Sequence, residues 1–542
     1  MNDFNELRRI PCLRKNIARI ESEYEKFRDA EIPELTEELF NSFYATGLRL
    51  EYESKYFIRR GALLTSAMMC LIYGKDEHFE ALFRMIELIL SEKTWALPAH
   101  VPEGAPQPER VIDLFSAETG HALTEICFFL SDRIPEALQS RINDEVKKRI
   151  LEPFLEETFA WESFDNNWAA VCGGAVGMTL LYAFPREFDL AENRIINTLN
   201  SYLSGFGADG VSTEGLGYLN YGLWYFTGFA DLYMKRRRVN LFDNPKVRSI
   251  AMCQQNMILT AGSIISYGDC ERNERFSSGL AHYYRNLYGD DIKIAGYEIS
   301  DGIDSCYRFL PCVRTLMWTD ERLAGLKEAA PTESYFADCG WYINRGKKFA
   351  FTAKCGNNGV SHNHNDVGCF IIANDEGQLI ADFGSGEYTR EYFGAQRYKY
   401  LQTSSRGHSV PIIDGKYQLA GKEFAGTVIK HDGGVFEMDI AKAYGGAVKS
   451  LMRKFTVYDG GVKLVDRFEF EDERPHEITE RFVSVIKPEI RGGRVVIGDM
   501  TLVCDARASV GCERLKNHAA EDDILYFVDY IAEKRFEITF SL

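Results

Sequence analysis

The hydrophobic period of the chain changes once along its 542 residues, and that change restricts the fold more than any single motif. Up to about residue 325, apolar residues return every three or four positions. Ile134, Leu138, Ile142, Val146 and Ile150 fall four apart between charged residues and make one stripe on a long helix. ALFRMIELIL and CFFLSDRIPEALQSRI continue the pattern between short Gly, Pro or Asp breaks. Amphipathic helices in series bury their stripes by stacking on one another, as in a solenoid or an α/α toroid. No fixed sequence repeat separates the two, so the pattern alone does not close a ring.

After Pro331 the period becomes two. FTVYDGGVKLVDRFEF alternates on both sides of Asp459-Gly460-Gly461, a hairpin signal, and the C-terminal RFEITFSL alternates as well. Short strands and frequent glycines from 335 to 542 predict an antiparallel β-sandwich. The expected organisation is therefore multidomain α+β, with a helical domain over 1–330 and a β-domain over 331–542. No low-complexity linker parts them, so the halves should pack together.

Apolar residues at 45% and aromatics at 13% supply packed cores and argue against general disorder. A net charge of -17 argues against nucleic acid or an anionic membrane as partner, since both need a cationic footprint. It leaves room for a local basic groove and a polyanionic ligand. The run Lys235, Arg236, Arg237, Arg238 reads as a solvated helix turn. The N-terminal segment shows no apolar signal core, no stretch reaches membrane-spanning length, and thirteen scattered cysteines contain no CxxC pair. The expectation is a cytoplasmic protein with reduced thiols. Oligomeric state stays open, a homo-oligomer included.

The densest polar constellation is Ser361-His362-Asn363-His364-Asn365-Asp366, just before the apolar GCFIIA. On an extended segment His362 and His364 would point to one side. Asp382 ends the next apolar run, LIADFG, and His408 follows in RGHSVP. Strand-borne His, Asp and His ligands suit a zinc-type site, while a hydrogen-bonded loop explains the same residues without a metal. NNW at 166–168 reads equally as a helix N-cap with a core Trp168. GGAVG follows no strand and reads as close helix packing rather than a phosphate cradle.

The segment SHNHNDVGCFIIANDEGQLIADFGSGEYTREYFGAQRY…SSRGHSVPIIDGKYQ resembles the core signature of the heparinase II/III-like sandwich. LPAH (97–100), DLFSAETG (113–120), DNNWAAVCGG (165–174) and DGVSTEGLGYLNYG (209–222) resemble the incomplete toroid that precedes it in alginate, heparin and related lyases. The resemblance implies one zinc ion on His364, Asp382 and His408. It also implies β-elimination on a uronic-acid polysaccharide or oligosaccharide, which sets three tasks: neutralising the uronate carboxylate, removing the C5 proton and protonating O4. By resemblance Asn166 or Asn167 takes the first and Tyr218 shuttles the proton, with Tyr221 its rival one turn on. The chain lacks the His that some relatives carry beside the Asn pair. The base therefore stays open among His362, Tyr218 and His100. Tyr392 and Tyr398, near Arg397, correspond loosely to a sandwich tyrosine of alginate-type members, and Glu214 either caps a helix, buttresses Tyr218 or meets the sugar. The competing readings are a glycoside hydrolase drawing two carboxylates from Asp113, Asp165, Asp209 and Glu214, and a non-catalytic sugar-binding protein.

Overall fold

The computed structural model describes residues 4–272, 274–294 and 302–542. Helices run from Phe4–Leu7 to Phe309–Trp318, and two kinds alternate. Leu114–Phe129, Asn167–Ala183 and Leu216–Arg237 are buried nearly all round. Asp76–Leu90, Glu136–Val146 and Pro185–Ser204 bury a single face. A helix apolar on every side must lie inside and one with a single stripe outside, which gives the two-layered helical arrangement expected of a toroid. The inner helices approach closely through glycine: a Cβ on Gly174 would lie 2.5 Å from the Tyr225 carbonyl oxygen, so GGAVG is a packing motif.

The stripe from Ile134 to Ile150 is fully buried, but the helix carrying it does not run straight through. A π turn at Lys147–Leu151 joins Glu136–Val146 to Glu152–Glu156. The basic run closes the helix Leu216–Arg237 as a solvated turn, with Lys235 paired to Asp231 and Arg237 to Asp189. All thirteen cysteines are free thiols. No helix among the described residues is long and apolar enough to cross a membrane.

The C-terminal part is antiparallel throughout. A five-stranded sheet runs in the order Glu333–Phe336, Trp341–Arg345, Ala350–Lys354, Phe370–Asn374, Gly377–Ile380. An eight-stranded and a four-stranded sheet follow. The hairpin expected at Asp459-Gly460 pairs Tyr458 with Gly461. Phe370 joins the three sheets, with its ring centroid 4.9 Å from Phe455, 5.4 Å from Phe540 and 6.0 Å from Phe482.

The five-stranded sheet is buried on both faces, which explains the unbroken apolar run FIIA. Phe370 and Ile372 point into the sandwich core, whereas Ile371 and Ala373 join the core of the helical part. The helical half is not purely helical: a short hairpin, Ile258–Thr260 with Ser263–Ile264, docks on that sheet. Arg345 donates to the carbonyls of Ile258 and Asn256, and Thr260 donates to that of Asn374. Strands of three and two residues are too short to show a period. Asp209 and Asp338 close the junction further, each backbone N–H donating 3.0 Å to the other's carboxylate.

Candidate active site

Asp269 organises the site, and the motifs in the sequence did not point to it. It follows the docking hairpin on a loop shaped by Gly268, whose φ is +69° and whose Cβ, were there one, would sit 2.9 Å from the His362 carbonyl oxygen. That close approach sets the carboxylate under the HxH turn. His362 Nδ1 lies 2.8 Å from Asp269 Oδ2 and His364 Nε2 lies 3.0 Å from Oδ1. Tyr392 donates to Oδ1 at 2.6 Å and Arg397 to Oδ2 at 2.9 Å. Burial alone would raise the Asp269 carboxyl, but the hydrogen bonds from His362 and His364 outweigh it and hold it well below the ordinary range.

The extended geometry expected of His362-Asn363-His364 is not what forms. Residues 361–362 make a turn, and His362 has a left-handed φ of +51°. The two imidazoles converge because each takes one oxygen of the same carboxylate, not because they alternate along a strand. A residue with a β-carbon is strained in that region, and such strain persists where surrounding contacts fix it.

The ligand-type atoms of His364, Asp382 and His408 all lie within 4.8 Å of one another, and all three residues are buried. His364 Nε2 is engaged by Asp269 and His408 Nε2 by the Gln402 carbonyl at 2.8 Å, so both rings carry the proton on Nε2 and turn Nδ1 inward. His408 Nδ1 and Asp382 Oδ2 stand 3.3 Å apart. Neither atom, nor His364 Nδ1, makes a hydrogen bond among the described residues. Three inward-facing buried donors of N, O and N type without partners fit a zinc ion. Burial opposes charge on His408, yet the facing Asp382 pushes its pKa well up, while burial lowers that of His364.

From the helical side, Gly215 at φ +94° turns the chain into the helix Leu216–Arg237 against Cys270, and so brings Tyr218 over the HxH turn. The Tyr218 ring stacks on His362 with centroids 4.2 Å apart. Its hydroxyl meets that of Tyr388 at 2.5 Å. Tyr388 is a second residue that sequence reasoning missed, although it lies inside the heparinase-like segment: one of many tyrosines, it had no spacing to mark it. Burial and then the Asp269 charge push the Tyr218 phenol well above its usual value. Glu214 lies 3.9 Å from His362 Nε2, and burial raises its carboxyl too.

Asn166 is the N-cap of the helix Asn167–Ala183, its side-chain oxygen accepting from Trp168 N at 3.1 Å. Asn167 is buried in the first turn of that helix, beside Glu214. His100 hydrogen-bonds Asp113 through Nδ1 at 2.8 Å and faces Arg49 through Nε2 at 3.3 Å. It joins the cluster through Trp168, 4.8 Å away between ring centroids.

Other candidates sit behind the site. Tyr221 donates to Glu118, and Arg308 covers its ring at 3.9 Å. Tyr392 is fully buried, and Arg397 binds the Asn363 carbonyl as well as Asp269, so both hold the HxH turn rather than reach a sugar. Tyr398 accepts from the Asn363 amide at 3.3 Å. Of the acids a hydrolase would need, Asp113 caps a helix and holds His100, and Asp209 binds backbone N–H groups at the junction. Asp165, exposed at the rim, and Glu214 are the acids left near the cluster.

Comparison with known proteins follows the same division. Residues 329–497 match the family model Heparinase II/III-like, C-terminal. No curated protein matches the chain in sequence. A crystal structure of heparinase III superposes with a TM-score of 0.65 at 12% identity, covering 98% of this chain and 92% of that one. A Streptomyces coelicolor chondroitin AC lyase in complex with chondroitin sulphate gives 0.60 at 11%, covering 97% and 79%. A heparan sulfate lyase from Pedobacter heparinus gives 0.57 at 12%, covering 97% and 88%. Residues 329–497 are thus similar to the heparinase II/III-like C-terminal domain, and the chain shares its helical-plus-sandwich fold with those three structures.

Proposed function

We propose that this protein is a polysaccharide lyase that cleaves uronic-acid-containing glycans by β-elimination. The observation that carries the reading is the stacked pair of His362 and Tyr218, one ring held by Asp269 and the other meeting Tyr388. With Nδ1–H donated to the Asp269 carboxylate, the lone pair of His362 lies on Nε2, the form a general base needs. Tyr218, with its pKa raised, keeps its proton and can serve as the acid.

In the step proposed, His362 Nε2 takes the C5 proton, the C–H electrons form the C4=C5 bond, and the C4–O4 bond breaks. O4 takes the hydroxyl proton of Tyr218. Tyr388 can resupply Tyr218 across the 2.5 Å contact, and the Asp269 charge stabilises the imidazolium until its proton leaves. Either Asn166, whose cap occupies only the side-chain oxygen and leaves the amide N–H groups free, or the buried Asn167 meets the uronate carboxylate. Its amide donates without forming a tight ion pair, and so lowers the cost of negative charge at C5. His364, Asp382 and His408 would hold a zinc ion, which supplies local positive charge and fixes the loops that carry His362 and Tyr388.

The fold shared with glycosaminoglycan lyases supports this reading. The test is a panel of heparan, hyaluronan, chondroitin and alginate oligosaccharides followed by ultraviolet absorbance, because only elimination creates the C4=C5 chromophore. New absorbance lost in Tyr218→Phe is the expected outcome. Cleavage without absorbance would replace the lyase by a hydrolase.

A further inference from the structure

One flank of the catalytic cluster is bridged from wall to wall. Directly beyond Tyr388, Thr389 pairs with Leu48 as an isolated antiparallel bridge. Arg390 N donates to the Gly47 carbonyl at 3.1 Å, and its guanidinium donates to the carbonyls of Phe43 and Tyr44 at 3.0 Å each. It also lies over the Phe43 ring at 5.1 Å.

The helix Glu37–Thr46 ends here in Gly47 at φ +74°, and a Cβ there would come within 3.3 Å of Arg390 Cβ. The left-handed turn favours glycine, and the approach leaves little room for a side chain. The segment is tied down at the cleft itself: Tyr44 donates to the Val101 carbonyl, and Arg49 reaches His100 at 3.3 Å.

A second tie lies behind Tyr388. His518 packs edge-on against its ring at 4.3 Å and faces Glu271 at 3.9 Å, while Arg272 pairs with Asp523 at 2.8 Å. Helical and sandwich walls are therefore joined on two sides of the Tyr218–Tyr388 contact. Asp165 and Phe164 of the helical wall and Phe393 of the sandwich wall stay exposed, Phe393 edge-on to His362 at 6.2 Å.

We infer that residues 43–49 form a strap that makes the cleft a dead-ended pocket, so that the enzyme cuts at a chain terminus and releases short units. A glycan cannot run through a gap crossed by backbone hydrogen bonds. Among the described residues it enters from the side rimmed by Phe164 and Phe393, and it extends past the scissile bond by no more than the pocket's depth. The inference rests on the lyase reading above.

The two are separated by following product size and ultraviolet absorbance together on whichever uronide polymer of the panel is cut. Terminal cutting predicts one small absorbing product from the first time point, with the remaining polymer nearly unchanged in length. An early ladder of absorbing intermediates would overturn the strap while leaving the lyase standing, and cleavage without absorbance would remove both. Arg390→Ala, outside the catalytic cluster, should shift the products toward longer absorbing fragments with total absorbance retained. An unshifted single product in a folded Arg390→Ala protein would show that the strap does not limit the cut.

Discussion

Asp269→Asn keeps the shape of the side chain and removes its charge, and the structure decides which way the amide turns. Four donors within 3.0 Å meet the carboxylate, His362 and Arg397 on Oδ2, His364 and Tyr392 on Oδ1. Arg397 cannot accept a hydrogen bond, so the amide oxygen must take the Oδ2 side. The amide nitrogen then faces His364 Nε2 and the Tyr392 hydroxyl, both of which can become acceptors. For His364 that means moving its proton to Nδ1, the atom turned toward Asp382 and His408. We therefore predict that Asp269→Asn weakens metal binding by about 10–100-fold, or about 1.4–2.8 kcal/mol, the usual effect of losing an outer-sphere partner. Arg397 keeps its hydrogen bond but loses the opposing charge, which lowers stability by about 1 kcal/mol. Turnover should fall by about 10²-fold, the lower end of the range for acid–base groups, because His362 keeps its orientation but not the charge behind it. Competition titration of the metal, denaturant unfolding and the ultraviolet assay read the three effects separately. Normal metal affinity with normal turnover would refute the claim that one carboxylate sets both tautomers.

Tyr218→Phe should lose about 10²–10⁴-fold in turnover while staying folded, whereas Tyr221→Phe, whose hydroxyl is engaged by Glu118, should lose little; the reverse ranking would move the proton shuttle to Tyr221. Asn166→Ala should lower stability by about 0.5–2 kcal/mol through the lost cap, and kinetics on the folded Asn166→Ala and Asn167→Ala proteins will show which amide meets the carboxylate, since only that variant should lose turnover. His364→Ala should abolish stoichiometric metal by elemental analysis. In the wild type the ligand atoms must be free of protons to hold a metal, so affinity should weaken as pH falls. The Asp269 carboxyl, depressed in the folded state, contributes stability that is complete above its ordinary value of about 3.9 and is lost as pH falls below it, so Asp269→Asn should flatten the acid limb of the stability curve.

The two halves of the fold were legible because each is written in its own period over many residues. Ile134 to Ile150 and the Asp459-Gly460 hairpin are examples, and both appear where expected. The hairpin at Ile258–Ile264 was not legible, since its two short strands contain less than one clear alternation. Within the site, His364, Asp382 and His408 converge as the ligand set suggested, although the HxH segment bends where a strand was expected. Asp269 escaped notice because a lone aspartate in SYGDC carries no motif. Its partners lie about 100 residues away and meet it only when the hairpin docks on the sandwich. Gly268 was the available clue, a glycine directly before an acid, but its close approach to His362 is a tertiary fact. The same holds for Arg390 and Gly47, which lie 343 positions apart and are joined by one backbone bond.

The most direct test of the lyase claim is to weigh the products of a uronide oligosaccharide cut by the purified protein and read their ultraviolet absorbance in the same run. Elimination adds no water, so the product masses should sum to that of the starting chain, with one product absorbing. Products that sum to one water more, with no absorbance gained, would show hydrolysis and contradict His362 as the base and Tyr218 as the acid of an elimination.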